Sequence, residues 1–296
     1  MGPFRINPYE CGRNSKKESF PSRQVPFTQT YPAETPIGNR MPPRHYVLAE
    51  ANHRQLSESP PKIAILPWGA TESHNWHLPY GTDVLEATLV AEGAAKIASE
   101  RDAKVIVLPT IPFGSDEQQL DQDCTISFTT TTAHAVLSDV VRSLAKQAID
   151  RLVIVNAHGG NQFQPLVRDL QLQYAMLIVV ANFYQMVPEV CESIFDEPGD
   201  HAGEMETSLL MHFNPELVEM PRAGRGERVP FVIEGINQPG VWTPRPWSHC
   251  HPDTGSGDPS AATAEKGEKY FKAVTVALAD LFVNLAEAEK GDLPYL

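Results

Sequence analysis

The run Leu66-Pro67-Trp68-Gly69-Ala70-Thr71-Glu72-Ser73-His74-Asn75-Trp76-His77-Leu78-Pro79-Tyr80-Gly81-Thr82-Asp83 joins two kinds of sequence. It opens on the end of a short, almost continuously apolar segment, residues 62–68, as expected of a strand buried on both faces. Beyond it, Val84, Leu85, Ala87, Leu89, Val90, Ala94 and Ile97 recur at a spacing that suits a helix over residues 83–99. Between the two, Glu72, His74, His77 and Asp83 crowd into one irregular loop just past a strand end. Stability alone gives no reason for so many metal-capable side chains there. The loop reads as half of a hydrolytic metal site, with later parts of the chain supplying the rest.

Working outward, the same alternation repeats. Residues 104–109, 151–156 and 175–181 are further apolar runs, separated by helical patterns over 133–150 and 162–174. Continuously apolar strands separated by helices predict a mainly parallel sheet covered on both faces, a three-layer α/β/α sandwich. Ligands of such sheets bind beyond the carboxyl ends of the strands. The segment Asn156-Ala157-His158-Gly159-Gly160-Asn161 directly follows the third run, so it converges with the 72–83 loop at one sheet edge. Residues 112–123 read as a polar loop, and His201 to Met211 as the start of a helix. Residues 220–260 form a long Pro- and Gly-rich loop, and 261–290 an amphipathic closing helix.

Composition narrows the classes of function. The 296 residues carry a net charge of −13. Residues 1–44 hold seven basic and three acidic side chains, a local +4 that leaves −17 on the remainder. An acidic body argues against a nucleic-acid partner. No apolar run has the roughly 18 residues of a membrane span, and residues 1–23 lack the apolar core of a signal peptide, so a cytoplasmic protein is expected. The four cysteines form no Cys-x-x-Cys pair and are expected as free thiols. Residues 1–45 read as an extended or partly disordered arm, and 46–296 as the catalytic domain.

Glu72, His74 and Asp83, joined by His158, mix carboxylate with imidazole, which suits zinc, manganese or iron(II) better than calcium or magnesium. A carboxylate such as Asp83 can bridge two ions about 3.5 Å apart. Gly159 and Gly160 suggest a tight, positive-φ turn that aims His158 at the sheet edge; a phosphate cradle would need a lysine that is lacking there. In the cluster His201, Glu204 and Glu206, helical spacing sends only one glutamate toward the site with His201. The competing reading of that cluster is an acidic helix N-terminus. In His249-Cys250-His251 adjacent side chains diverge, and the tract reads as structural. The other histidines and the four tryptophans read as packing or surface residues.

Four motifs together resemble the creatininase (creatinine amidohydrolase) family: residues 69–83, residues 156–161, His201-Ala202-Gly203-Glu204-Met205-Glu206-Thr207-Ser208, and Ser256-Gly257-Asp258-Pro259 running into residues 262–267. They occur in the family's order over roughly residues 46–290. The resemblance implies an α/β/α fold and a centre of two divalent ions, zinc first, with manganese or iron(II) as the other fits. It implies hydrolysis of a non-peptide, often cyclic, amide C–N bond by metal-activated water. It also implies a homo-oligomer, with a hexamer as the suggested size. By position, Glu72, His74, Asp83 and His158 match metal ligands, with Asp83 as the bridge, and His201 matches a histidine implicated in proton transfer. Glu204 is the other candidate for that transfer, and His77 is expected to orient a ligand. The family's glutamate two places after the second histidine is Gly160 here, so Glu206 or Glu204 is expected to replace it. Asn75 stands where glycine is usual, and no tryptophan immediately precedes His201, which argues against creatinine as the substrate. The alternative is a metal- or ligand-binding protein of the same fold without turnover.

Overall fold

A computed structural model of the chain describes residues 43–289. All but the last three residues of the expected N-terminal arm lie outside this range. The elements in chain order are α1 (His53–Glu58), β1 (Ile63–Trp68), α2 (Thr82–Glu100), β2 (Val105–Val107), α3 (Thr130–Lys146), β3 (Arg151–Asn156), α4 (Phe163–Tyr174), β4 (Leu177–Asn182), α5 (Pro188–Ile194), α6 (Glu204–Phe213), α7 (Trp247–Cys250) and α8 (Ala264–Glu287).

The four apolar runs are the four strands, all parallel, in the order β2-β1-β3-β4. Alternate residues along each strand feed two separate cores. Ile63, Ile65, Val153 and Val155 pack with α2, α6 and α8. Ala64, Leu66, Leu152 and Ile154 pack with α3 and α4 on the opposite face. Both faces are therefore covered, giving the three layers, and each strand reads as apolar throughout because neither face meets water. The order places β1 beside β3, with β2 and β4 outside them, so the chain runs to opposite sides from this pair. Their carboxyl ends form the topological switch point where such sheets hold ligands.

Two helix starts differ from the periodic pattern. Helix α3 begins at Thr130, inside a threonine-rich stretch, because the Thr129 hydroxyl accepts from the Thr132 N–H at 3.2 Å and caps it. Helix α6 begins at Glu204, not at His201, because Ala202 sits at φ 51 and breaks the helical path. His201 instead pairs with Ser256 in an isolated antiparallel bridge. Cys124, Cys191 and Cys250 are free thiols. No helix among the described residues is long and apolar enough to cross a membrane.

Candidate metal centre

The β1 end and the α2 start are held against each other at Gly69. A Cβ there would lie 2.7 Å from the Asp83 carbonyl carbon and the Val84 nitrogen. Only glycine permits that approach. It brings Asp83, in the first turn of α2, beside the loop carrying Glu72 and His74. From β3, the Asn156 side chain braces the next turn: its Oδ1 accepts from the His158 N–H at 3.1 Å and from Asn161 Nδ2 at 3.0 Å, and its Nδ2 donates to the His158 carbonyl at 2.9 Å. Neither Gly159 nor Gly160 has positive φ. Position 160 is glycine because a Cβ would fall 2.3 Å from His158 Nε2 and 2.5 Å from the Ser115 carbonyl. The same crowding leaves no room for a glutamate there.

Three loops and the first turns of α2 and α6 thus meet in a buried cluster. His158 Nδ1 stands 2.8 Å from Glu72 Oε1 and 3.1 Å from Asp83 Oδ2. His74 Nε2 lies 3.0 Å from Asp83 Oδ1 and 3.9 Å from Glu206 Oε2. His201 Nδ1 lies 3.7 Å from Glu72 Oε1. Three overlapping groups present donor atoms within 4.8 Å of one another: Glu72, Asp83 and His158; His74, Asp83 and Glu206; Glu72, His74 and His201. Glu72 Oε1 and Asp83 Oδ2 are buried without a directed hydrogen bond. Carboxylate oxygens in that state, faced by imidazole nitrogens, fit a cation; buried carboxylates otherwise lack compensation.

The electrostatics match this crowding. Burial pushes Glu72 and Glu206 up to about 7, against the pull of His158 and His74 respectively. Burial disfavours a charged His74, but Asp83, Glu206 and Glu72 outweigh it and raise the ring to about 10. Burial also opposes ionised Asp83, yet His74 and His158 hold it below the usual range. For the metal-free protein the signs agree through the neutral range. His74 contributes stability that is complete below about 6.5 and lost as pH rises toward about 10. Glu72 and Glu206, also raised, disfavour the folded state increasingly as pH rises from 4.5 to about 7. Asp83, depressed, loses its contribution only at acid pH, below its ordinary 3.8. The chelator-treated protein is therefore expected to melt at a lower temperature at pH 9.5 than at pH 6.5, and added zinc should narrow the gap. A melting temperature independent of pH would count against these ion pairs.

Of the residues named from sequence, Glu72, His74, Asp83, His158, His201 and Glu206 come together. Glu204 does not. Its carboxylate accepts from the Asp196 and Glu197 N–H groups at 2.9 and 3.0 Å and pairs with Lys266. It serves the fold around α8: the first turn of α6 points Glu206 toward His74 and Glu204 toward Lys266. Glu206 is held by the Ala202 N–H. His77 meets no cluster residue directly; its Nε2 bonds the Thr207 hydroxyl at 2.9 Å and ties the motif loop to α6. Asn75 takes φ 52, which explains why glycine suits the position, and clasps Gly224 through its N–H and its carbonyl.

Four neighbours lie outside the sequence reading. Asp116 and Gln119, in the polar loop after β2, touch His158 and Glu72. Glu86 is buried with both carboxylate oxygens lacking a directed hydrogen bond, and burial, then Glu206 and Asp83, push it well above the usual carboxylate range. Its spacing of three from Asp83 on α2 was the available signal. Trp247 stacks edge-on to His201 at 5.1 Å, backed by His251 at 4.2 Å. The tryptophan beside His201 thus arrives from the start of α7, far along the chain, which no local pattern marks.

A doubly covered parallel sheet with buried carboxylate–imidazole groups at its switch point is the class these observations define. More narrowly, the chain belongs to the creatinine amidohydrolase (creatininase) family, whose sequence model matches residues 49–282. It is 33% identical over 236 residues to the mycofactocin precursor peptide peptidase of Mycobacterium tuberculosis, covering 77% of this chain and 86% of that protein. It is 29% identical over 180 residues to the creatinine amidohydrolase of Pseudomonas putida, covering 54% and 67%. A crystal structure from Bacteroides fragilis, assigned as a creatinine amidohydrolase, is 39% identical with a TM-score of 0.77, covering 83% of this chain and 98% of that one. A manganese creatininase at 23% identity and TM-score 0.69, covering 83% and 100%, shares the fold.

Proposed function

We propose that this protein is a metal-dependent amide hydrolase with a two-ion centre. The observation that carries the reading is the split engagement of Asp83, whose Oδ1 faces His74 and whose Oδ2 faces His158. In this reading, Glu72, Asp83 and His158 hold one ion, and His74, Asp83 and Glu206 the other. Bound ions would supply Lewis acidity for an amide carbonyl and acidify a water molecule. Zinc is the first expectation, with manganese or iron(II) also suited to the donor set.

The chain's own residues supply the rest. His201 donates Nε2–H to the Ser73 carbonyl at 2.7 Å, so its Nδ1 lone pair faces the cluster. Burial, then His74, pushes this ring well below the ordinary histidine value and keeps it neutral. A neutral, fixed imidazole can take a proton at Nδ1 and return it to a leaving nitrogen. Trp247 shields one side of His201 from water.

The substrate is read as a small amide, cyclic or open-chain, other than creatinine. Gly160 and the placement of Trp247 both alter the wall of the site relative to the pattern that the family resemblance implies. A precursor peptide is the second reading, favoured by the 33% identity to the peptide peptidase. A homo-oligomer belongs to the same proposal. The test is a metal-loaded panel of cyclic amides, formamides and short peptides. Product should form only with added divalent ions and stop with a chelator. Binding of panel members without turnover would favour the non-catalytic alternative.

A further inference from the structure

We propose that Asp116 and Gln119 are positioning residues for one of the two ions: Asp116 through the far nitrogen of His158, Gln119 through the outer oxygen of Glu72. This rests on the two-ion reading above. The loop between β2 and α3 is pinned to both motif loops. The Ser115 N–H donates to Asn161 Oδ1 at 3.1 Å, the Ile126 N–H to the Thr71 carbonyl at 3.1 Å, and the Thr71 hydroxyl to the Pro112 carbonyl at 2.7 Å. The Asp116 N–H is itself held by the Ser127 hydroxyl at 2.9 Å. The loop is a fixed wall of the centre.

Asp116 is fully buried, and neither of its carboxylate oxygens makes a directed hydrogen bond. Its Oδ1 lies 2.8 Å from His158 Nε2, the only ion pair found for it among the described residues. A buried carboxylate needs a cation or donors to compensate it. His158 turns its other nitrogen, Nδ1, toward Glu72 and Asp83. With Nδ1 on an ion, the ring's hydrogen must sit on Nε2, and Asp116 is the carboxylate placed to receive it. That contact selects the tautomer, fixes the ring plane and makes Nδ1 a stronger donor.

Gln119 acts on the neighbouring ligand. It is 1% exposed, and its Nε2 donates to Glu72 Oε2. The other oxygen, Oε1, is left facing His158 and His201. A neutral amide orients the carboxylate without cancelling its charge, as a lysine would. None of the contacts made by Asp116 or Gln119 reaches His74 or Glu206, so their influence is confined to the ion held by Glu72, Asp83 and His158.

The test uses the full-length protein, stripped and reloaded with manganese(II), with ion count measured across free-manganese concentrations and electron paramagnetic resonance reporting whether bound ions are coupled. Wild type should take up two ions and show a coupled pair. Asp116→Ala should bind one ion about 10–100-fold more weakly and show an isolated-ion spectrum at intermediate manganese. Asp116→Asn, which keeps an oxygen acceptor, should recover part of that loss. Gln119→Met should weaken the same ion only. If Asp116→Ala does not fold, Asp116→Asn and Gln119→Met carry the test. Two ions bound with wild-type affinity in the variants, or both ions weakened equally, would overturn the proposal while leaving the two-ion centre standing. A wild-type protein that binds no ion would instead overturn the centre itself.

Discussion

Asp83→Ala is expected to empty the centre of both ions at once. The carboxylate faces His74 with one oxygen and His158 with the other, at 3.0 and 3.1 Å, and it is common to two of the three candidate ligand groups. No other side chain in the cluster belongs to both proposed ion positions. Loss of a directly coordinating, shared ligand should exceed the about 10–100-fold affinity loss typical of outer partners. Ion content after dialysis should fall from about two per chain toward none, and amide turnover with it. The substitution also removes the carboxylate that His74 and His158 share, so some loss of metal-free stability is expected. Asp83→Asn keeps the side-chain shape and separates that cost from the loss of ions. Elemental analysis beside calorimetry reads both. Retention of two ions by both variants would remove Asp83 from the bridge.

The second large effect is at His201. His201→Ala should lower turnover about 10²–10⁴-fold, the range for loss of a positioned acid–base group. The ion count should stay at its wild-type value, because the Nδ1 of His201 stands 3.7 Å from Glu72 while the proposed ion positions are filled without it. A count that drops by one would make His201 a ligand, since it shares a group with Glu72 and His74. The pH profile adds a sign. A ring held well below the ordinary value loses its lone pair only at acid pH, and nearby bound cations push it the same way. Protonation of His201 should therefore add no loss of turnover as pH falls from 8 to 6, and any fall in that range should move when the added ion is changed, as acidified ion-bound water would. A fall near 6.5 that does not move with the ion would point to an unperturbed histidine in its place.

How far the site was legible follows from the range of each signal. Glu72, His74 and Asp83 sit in one loop, and His158 directly after another apolar run, so strand ends alone predict that they meet. Glu206 and Glu204 are two residues apart on one helix turn. Their choice depends on the break at Ala202 and on Lys266, which draws Glu204 away from a position 62 residues later in the chain. Asp116, 42 residues before His158 in sequence, looks like any polar loop residue until the sheet sets β2, β1 and β3 side by side. Trp247 reaches His201 across a Pro- and Gly-rich loop with no periodicity to follow.

By itself, the run from Leu66 to Asp83 determined a buried strand, a loop of metal-capable side chains and a helix start, because burial on both faces and helical spacing are properties of neighbouring residues. Repeated three more times along the chain, that apolar signal determined the parallel α/β/α architecture. Only the tertiary structure decided which glutamate faces His74, why position 160 must be glycine, and which loop residues contact His158 and Glu72. Those outcomes depend on close packing between segments tens of residues apart, and no local pattern encodes it.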